Sequence, residues 1–269
     1  MSDDFPLQLA AHLDRVRRHT TPFKPGVITL DVPGGWISAR PGAPVGDFPS
    51  ASMQRVYWLT QTQPLTAAQV AAAGRELRQL GCEKAYVWLA PWAWSPQIET
   101  TLNEHGVTRW PFVEYIALAR PAAEPSPPYS CSYPVRQIAP GEAAQVLAQV
   151  TSWYGADSAA AAQALLQANA EELFAAFQGD SAVAVGLLAL DGPFGYLSAA
   201  STSPDHRARG AQTALIAARI ERARAAGCVW CTVETNSTVA ISLRNLERAG
   251  FRRSIVWRVY VWDLRARPT

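Results

Sequence analysis

Apolar residues recur with helical spacing over residues 211–226, where Ile216, Ile220 and Ala223 form a stripe beside Leu215. Gly227 follows directly, and glycine commonly stands just past the end of a helix. The pattern next predicts a strand, a helix and a final strand. These three elements are expected over 229–235, over 239–249, and from Gly250-Phe251 through Tyr260 and Trp262. Alternating helices and strands of this kind are typical of an α/β fold.

The first half of the chain repeats this order of elements. Helices are predicted over 67–80 and 96–105, a strand over 84–90, and a further strand that begins at Gly106-Val107 and contains Tyr115. The pair Gly-Cys stands after the first helix of both halves, at 81–82 and 227–228. This self-similarity predicts two copies of one α/β fold. A chance match is the alternative, since such orders are common in α/β proteins.

A proline-rich segment separates the two halves. Residues 121–128 read PAAEPSPP, which holds neither a helix nor a central strand. The predicted domains are therefore 1–120 and 131–269, joined by a linker over 121–130.

Composition adds little to this picture of a globular protein. Of the 269 residues 49% are apolar and 17% are charged, enough for a sizeable core. The net charge of +2 argues against a nucleic-acid or membrane partner. Asp3 and Asp4 stand where a secretion signal would have an apolar stretch, and no apolar run approaches the roughly 20 residues that span a bilayer. We therefore expect a soluble cytoplasmic protein that is a monomer or a homodimer. The high proportion of alanine and arginine is typical of a GC-rich bacterial genome.

Cys228 and Cys231 have the spacing of half a zinc site or of a redox pair. No second pair lies nearby, and residues 229–233 are predicted to form a buried strand. On a strand, positions three apart point to opposite faces. We therefore interpret both as structural thiols and expect no metal.

The segment that joins the strand predicted over 194–203 to the helix at 211 has the features of an anion site. The first turn of a helix leaves backbone N–H groups unpaired and carries a partial positive charge. Gly210 lets the backbone approach a ligand closely, and Arg207 and Arg209 add fixed positive charge. A diphosphate suits such a cradle. The alternative is a basic helix start with solvated arginines.

These residues resemble the acetyl-CoA pyrophosphate motif of the GCN5-related N-acetyltransferases (GNAT), written R/Q-x-x-G-x-G/A. Arg207 and Gly210 fill its first and fourth positions, and Gln212 departs from the usual Gly or Ala. The resemblance extends over 133–264 and implies the acyl-CoA N-acyltransferase fold, a mixed central sheet flanked by helices, which the chain would contain twice. It implies strands over 134–136, 182–190 and 194–203 and helices over 141–154 and 159–174. The first half would be a degenerate copy, because residues 61–66 before its helix contain neither arginine nor glycine.

The resemblance implies that acetyl-CoA lies along the strand before the loop, the loop itself and the last helix. The implied contacts are Ser201, Thr202, Ser203, Arg207, Ala208, Arg209, Gly210, Ala211, Gln212, Thr213, Asn236, Ser242 and Asn245. Asn236 has the alternative of a simple helix cap. His206 is expected near phosphate or solvent.

The resemblance further implies direct attack of an amine on the thioester in a ternary complex, with a backbone N–H holding the oxyanion. The strand over 194–203 offers no Glu or His as a base, so Glu234 on the next strand is the candidate. Glu234 has two alternatives, a pairing with an arginine and the binding of a substrate ammonium. The usual acid, a tyrosine, is replaced by Leu246, which leaves Ser242, Tyr260 or solvent to protonate the thiolate.

The predicted function is an N-acetyltransferase acting on a small-molecule amine or a protein N-terminus. A non-catalytic acyl-CoA sensor or scaffold is the alternative. A third reading is an acyltransferase for a longer chain, an antibiotic or a tRNA-bound substrate; the near-neutral charge argues against tRNA.

Overall fold

The computed structural model describes residues 4–41, 54–110, 113–125 and 133–265. The helices, in chain order, are α1 Phe5–Thr20, α2 Ala67–Gln79, α3 Pro96–Glu104, α4 Pro140–Tyr154, α5 Ala156–Gln167, α6 Ala211–Ala225 and α7 Ala240–Arg248. The strands are β1 Ile28–Val32, β2 Gly35–Ala39, β3 Arg55–Trp58, β4 Lys84–Leu89, β5 Val107–Arg109, β6 Tyr115–Pro121, β7 Val135–Ile138, β8 Glu172–Gln178, β9 Ser181–Asp191, β10 Phe194–Thr202, β11 Trp230–Asn236 and β12 Arg252–Asp263.

The chain forms two compact units. The first consists of Met1–Pro22, Gly26–Tyr115 and Ile255–Thr269, and the second of Phe23–Pro25 and Ile116–Ser254. The last strand, β12, therefore begins in the second unit and continues in the first. The sequence predicts instead that the chain divides once, within 121–130. The division into a degenerate first domain and a coenzyme-binding second one stays a prediction.

In the first unit the strands follow the order β1-β2-β3-β4-β12, and β5 also pairs with β12. β3 and β4 are parallel, and α2 connects them. The remaining pairs are antiparallel. Large aromatic side chains fill the interior, and five tryptophans are almost completely buried: Trp36, Trp58, Trp88, Trp257 and Trp262.

In the second unit the order is β6-β11-β10-β9-β8-β7. Here β10 and β11 are the parallel pair, and α6 connects them. One core cluster joins α6 and α7 to the sheet and includes Leu215, Ile220 and Leu246. Another joins α4 and α5 to the sheet and includes Leu147 and Leu165. The strands of this mixed sheet are apolar on both faces, so both faces need a covering layer of helices.

Most elements of the second half that the sequence predicts are confirmed. α6, β11, α7 and β12 lie within one or two residues of their predicted bounds. The helix predicted over 159–174 is wrong, since α5 ends at Gln167 and Glu172–Gln178 is strand β8. Asn169 has a left-handed φ of 51°, which ends the helix. The strand is buried on both faces, so its sequence lacks the alternation that distinguishes a strand from a buried helix.

The chain around the predicted linker also differs from expectation. The strand predicted to run from Val107 to Tyr115 is two strands, β5 and β6. β6 extends to Pro121, so the linker predicted over 121–130 overlaps its end. Residues 126–130 of that linker lie outside the described residues, as does Cys131.

Cys228 and Cys231 are buried free thiols. The expectation that they point to opposite faces is wrong. Cys228 precedes β11, which begins at Trp230, and both side chains belong to the same core cluster. Burial raises the pKa of Cys231 to about 12, so this thiol stays protonated.

The described ranges show neither a metal-binding cluster nor a membrane-spanning helix. They contain no group of three or more His, Cys, Asp and Glu side chains arranged to hold a metal ion. None of their helices combines the length and the apolar character needed to cross a bilayer.

Candidate active site

The two parallel strands of the second unit separate before they end. Their pairing runs from Phe194 opposite Trp230 to Leu197 opposite Val233. Beyond this last pair β10 continues to Thr202 and β11 to Asn236. A cleft between the strands therefore opens at Ser198 on one side and Glu234 on the other.

A β-bulge in β10 lies at the mouth of this cleft. Ser198 is opposite Leu187 of β9, whereas Ser201 is opposite Val185, so β10 has one extra residue. Ala199 within the bulge has a left-handed φ of 47°. This conformation costs a non-glycine residue about 1 kcal/mol, and such strain is concentrated at functional sites.

The loop after β10 leads directly into α6. The Ser203 N–H donates to the Val183 carbonyl at 2.9 Å, which fixes the start of the loop. Residues Pro204–His206 form one 3-10 turn, and Arg207 Nε donates to the Thr202 carbonyl at 3.4 Å.

Two left-handed residues shape the end of the loop. Ala208 has a φ of 59° and Gly210 a φ of 88°. Alternating conformations of this kind turn successive backbone N–H groups toward a common concavity. No side chain caps α6, and its first turn contains no acidic residue. Its first N–H groups, on Ala211, Gln212 and Thr213, thus have no capping side chain as acceptor.

A residue of α7 contacts the start of α6. Asn245 Nδ2 donates to Gln212 Oε1 at 2.7 Å, so two of the predicted coenzyme contacts lie together. Asn236 Oδ1 accepts from the Thr238 N–H at 3.0 Å and from the Thr238 hydroxyl, which agrees with the alternative of a local turn cap. Ser242 is half-buried on α7.

Glu234 is half-buried at the mouth of the cleft, and its Oε2 accepts from the Tyr196 hydroxyl at 3.3 Å. His206 lies in the loop, where its Nδ1 is 3.1 Å from the Tyr133 hydroxyl and its ring packs edge-on against that of Tyr133.

A second carboxylate beside the cleft escaped the sequence analysis. Glu171 immediately precedes β8, and only 7% of its surface is exposed. Its Oε2 accepts from the Ser198 hydroxyl at 3.1 Å. Burial raises the pKa of Glu171 to about 7, and the Ser198 hydrogen bond, Lys24 and Arg219 oppose that rise. Glu171 was missed because the sequence predicts a helix over this segment.

Arg219 of α6 is the buried cation of this region. Its guanidinium Nη1 donates to the carbonyls of Leu187 and Ser198 at 3.0 and 3.1 Å, and its Nε donates to the Leu215 carbonyl. Gly186 provides the space for it, since a Cβ there would lie 2.9 Å from Arg219 Cζ. Arg219 thereby ties β9 to β10 at the bulge.

The structure does not place Tyr260 among the cradle residues. It lies in the part of β12 that belongs to the first unit, is fully buried, and donates its hydroxyl to Glu99 at 2.9 Å. Burial is the main cause of the raised pKa of Tyr260, and the Glu99 carboxylate raises this pKa further. Leu246, at the position of the usual acid, is buried in the core. The predicted role of Tyr260 gains no support from these contacts.

Comparison with known proteins agrees with this geometry. Residues 145–251 match the acetyltransferase (GNAT) family model. No curated protein matches the sequence.

Three solved structures share the fold at low sequence identity. A tandem GNAT protein from the clavulanic acid biosynthesis pathway is 14% identical, with a TM-score of 0.63, 98% of this chain covered and 96% of that one. A GCN5-related N-acetyltransferase from Kribbella flavida is 11% identical, with a TM-score of 0.61 and coverages of 94% and 95%. A GCN5-related N-acetyltransferase from Sphaerobacter thermophilus is 12% identical, with a TM-score of 0.60 and coverages of 86% and 81%.

The splayed strand pair, the uncapped helix and the matched residues lie in the same unit. Residues 145–251 are therefore a domain of the GNAT acetyltransferase family, within a chain of mixed α/β architecture that has the GNAT fold.

Proposed function

We propose that the second unit is an N-acetyltransferase that takes the acetyl group from acetyl-CoA and transfers it to an amine. The observation that carries this proposal is the uncapped, glycine-led start of α6, which directly follows a strand that has separated from its parallel partner. A helix start of this kind is an anion site, and the separated strands leave room for an extended ligand.

The diphosphate of the coenzyme would be held by the backbone N–H groups of 208–213 and by the guanidinium groups of Arg207 and Arg209. Both arginines are exposed beside the helix start. The macrodipole of α6 and the two positive charges act in the same direction. Gln212 accepts a hydrogen bond from Asn245, which would hold its side chain in place next to the phosphates.

The pantetheine arm would lie along Ser201, Thr202 and Ser203. One edge of this stretch is paired with β9, through Ser201 opposite Val185 and Thr202 opposite Ala184. The other edge faces β11 without pairing to it. An extended ligand with amide groups can therefore add to β10 by backbone hydrogen bonds.

The acceptor amine would enter at the mouth of the cleft. The carboxylate of Glu234 stands there and suits an ammonium group, either to orient it or to accept its proton. A backbone N–H at the bulge is the proposed donor to the oxyanion of the tetrahedral intermediate. The acceptor would be a small-molecule amine or a protein N-terminus.

An acyl-CoA sensor is the second candidate, and one observation favours it. Leu246 occupies the position of the family's usual acid, and its side chain is 3% exposed within the core. The cradle would serve a sensor equally well, because binding requires no acid.

Calorimetric titration with acetyl-CoA tests the cradle, and a thiol-release assay over a panel of amines tests transfer. The panel contains a primary alkylamine, an aminoglycoside and a tetrapeptide with a free N-terminus. We expect micromolar binding and release of the coenzyme thiol with at least one amine. Absence of binding would refute the cradle, and binding without transfer to any amine would leave the sensor.

A further inference from the structure

Glu171 is the most deeply buried carboxylate that we find at the cleft, and the proposed function so far gives it no role. It is 7% exposed, whereas Glu234 is half-buried. A buried carboxylate that merely supports a fold is ordinarily paired directly with a cation. Glu171 instead accepts a hydrogen bond from a hydroxyl, that of Ser198.

Ser198 connects Glu171 to the reaction cleft. It is the first residue of β10 beyond the last parallel pair with β11, and its hydroxyl points to Glu171. It is half-buried, so part of it stays accessible at the position where the cleft opens. The bulge that begins at Ser198 is fixed from behind by Arg219, which donates to the Ser198 carbonyl.

Four groups from different elements face the Glu171 carboxylate. They are Ser198 of β10, Arg219 of α6, Tyr154 at the end of α4 and Lys24 in the segment Phe23–Pro25. The two cations favour the ionised carboxylate, and burial favours the neutral acid. Burial also raises the pKa of Tyr154, so that hydroxyl stays protonated at neutral pH.

We propose that Glu171 accepts the proton of the acceptor ammonium through the hydroxyl of Ser198, while Glu234 holds the ammonium in place. This inference rests on the proposed acetyltransferase function of the same site. An N–H proton of the ammonium passes to Ser198 Oγ as the Ser198 hydroxyl proton passes to Glu171 Oε2. The products are a neutral amine, an intact serine and a protonated Glu171, so charge and atoms balance.

The ensuing step uses the freed electron pair of the amine. The amine nitrogen forms a bond to the thioester carbonyl carbon, and the carbon–sulfur bond breaks as the thiolate leaves. As the amide forms, its nitrogen loses one further proton, which passes through solvent to the thiolate and gives the free coenzyme thiol. Glu171 returns its proton to solvent before the next turnover.

The acidity of Glu171 suits this task. A base works best when its pKa lies near the operating pH, and burial brings the pKa of Glu171 to about 7. A carboxylate with an ordinary pKa of 4.5 would be ionised at neutral pH but would be a weaker base toward an ammonium.

The alternative role for Glu171 is structural, as the counter-ion of Arg219. Four variants separate this structural role from the role as a base: Glu171→Gln, Ser198→Ala, Ser198→Thr and Glu234→Gln. Each is assayed by thiol release between pH 6 and 9 with acetyl-CoA and the amine of the panel that the wild-type protein acetylates fastest. Acetyl-CoA affinity is measured by calorimetry alongside.

For Glu171→Gln we expect kcat at pH 7 to fall by about 100-fold, the usual range for loss of a general base. Wild-type kcat should rise with pH and level off above about 7, whereas the variant should keep rising to pH 9, since its proton must leave to solvent. Ser198→Ala should change the profile in the same way, and Ser198→Thr should restore it. Glu234→Gln should raise the KM of the amine and retain the wild-type pH profile.

A Glu171→Gln protein that binds acetyl-CoA normally and keeps the wild-type pH profile would overturn the proposal, even if it melts at a lower temperature. Loss of the inflection near pH 7 in Glu234→Gln, with its retention in Glu171→Gln, would overturn the proposal as well. A wild-type protein that binds acetyl-CoA and acetylates no amine would refute the acetyltransferase function and this inference together.

Discussion

Each unit contains one pair of parallel strands connected by a helix, and the two pairs differ at their carboxyl ends. In the first unit β3 and β4 stay paired to Trp58 opposite Leu89, and the Ala90 N–H continues the pairing with the Trp58 carbonyl. In the second unit the pairing of β10 and β11 stops at Leu197 opposite Val233, with 198–202 still to follow in β10. Only the second pair thus leaves a cleft between its strands.

The helices that connect the strands differ in the same sense. Thr66 caps α2 by accepting from the Gln69 N–H at 3.3 Å, and Gln69 Oε1 accepts from the Thr66 N–H at 2.9 Å. The start of α6 has a left-handed glycine and no capping side chain. A capping box consumes the N–H donors that an anion would need. In the strand–helix–strand segment of the first unit the helix start is therefore capped. In that of the second unit the helix start has no capping side chain, which leaves its N–H groups available to an anion.

The largest expected effect comes from closing the open helix start. In the double variant Arg207→Ala with Gly210→Val, a guanidinium is lost and a β-branched residue occupies a position with φ of 88°. We expect acetyl-CoA affinity to fall by about 100-fold or more, because charge-assisted hydrogen bonds contribute about 1.5–3 kcal/mol each. Calorimetric titration measures this loss.

Arg224→Ala is the matched control for that variant. Arg224 lies in the last turn of α6, where it is exposed and pairs with Glu221. Its removal should leave the affinity within about twofold, since exposed ion pairs contribute little. Equal losses in both proteins would mean that the charge of the helix, not its open start, binds the coenzyme.

The buried Glu171 should make the stability of the second unit depend on pH. Its folded pKa of about 7 exceeds the ordinary 4.5, so the folded protein holds this proton more tightly than the unfolded chain. The contribution is present below pH 4.5 and is lost as pH rises through 7, which amounts to about 3 kcal/mol.

Glu171→Gln should remove this dependence. Denaturant unfolding at pH 5 and pH 8 is compared between wild type and the variant, and Glu247→Gln serves as an exposed control. The wild-type protein and the control should lose stability toward pH 8, and Glu171→Gln should lose less. Parallel pH curves for all three proteins would contradict the raised pKa.

Gly186→Ala should disturb the bulge through Arg219, which donates to the Ser198 carbonyl. The new Cβ would lie 2.9 Å from both Cζ and Nη1 of Arg219, which has no room to move away because it is fully buried. We expect a loss of about 1–3 kcal/mol in unfolding free energy, as for overpacked cores. Gly141→Ala, where nothing lies within 4 Å, should stay within about 0.5 kcal/mol. Similar values for the two variants would show that Arg219 yields to the extra methyl group.

The smallest effect is expected at the closed helix start. Thr66→Ala removes the capping hydroxyl of α2 and should cost about 1 kcal/mol of stability. Acetyl-CoA affinity should not change, because the first unit has no predicted phosphate cradle. A measurable change in the calorimetric affinity would argue that both helix starts contribute to coenzyme binding.

The local sequence predicts much of this difference between the two helix starts. The apolar stripe and the terminal glycine predict α6, which the structure confirms. Arg207 and Gly210 predict a phosphate cradle, which stays a prediction. Residues 61–66 lack arginine and glycine, which predicted that the first unit has no cradle. These features depend on a few neighbouring residues, and their positions along the chain suffice to recognise them.

No local sequence pattern predicts the β-bulge in β10. Ala199 carries a left-handed φ that its side chain disfavours, and only the pairing of β10 with β9 and the hydrogen bonds of Arg219 hold it there. Likewise β8 is buried on both faces, so no periodicity distinguished it from a helix.

The sequence by itself therefore determined the α/β class, the elements from α6 to β12 and the position of the loop that we propose as a phosphate cradle. The tertiary structure decided where the parallel strands separate, which unit contains the end of β12, and that Glu171 meets Ser198. The physical reason is the range of the interactions involved. Periodicity, caps and glycine turns act within a few residues, whereas burial and hydrogen bonding between Glu171 and Ser198 exist only after strands β8, β9 and β10 have paired.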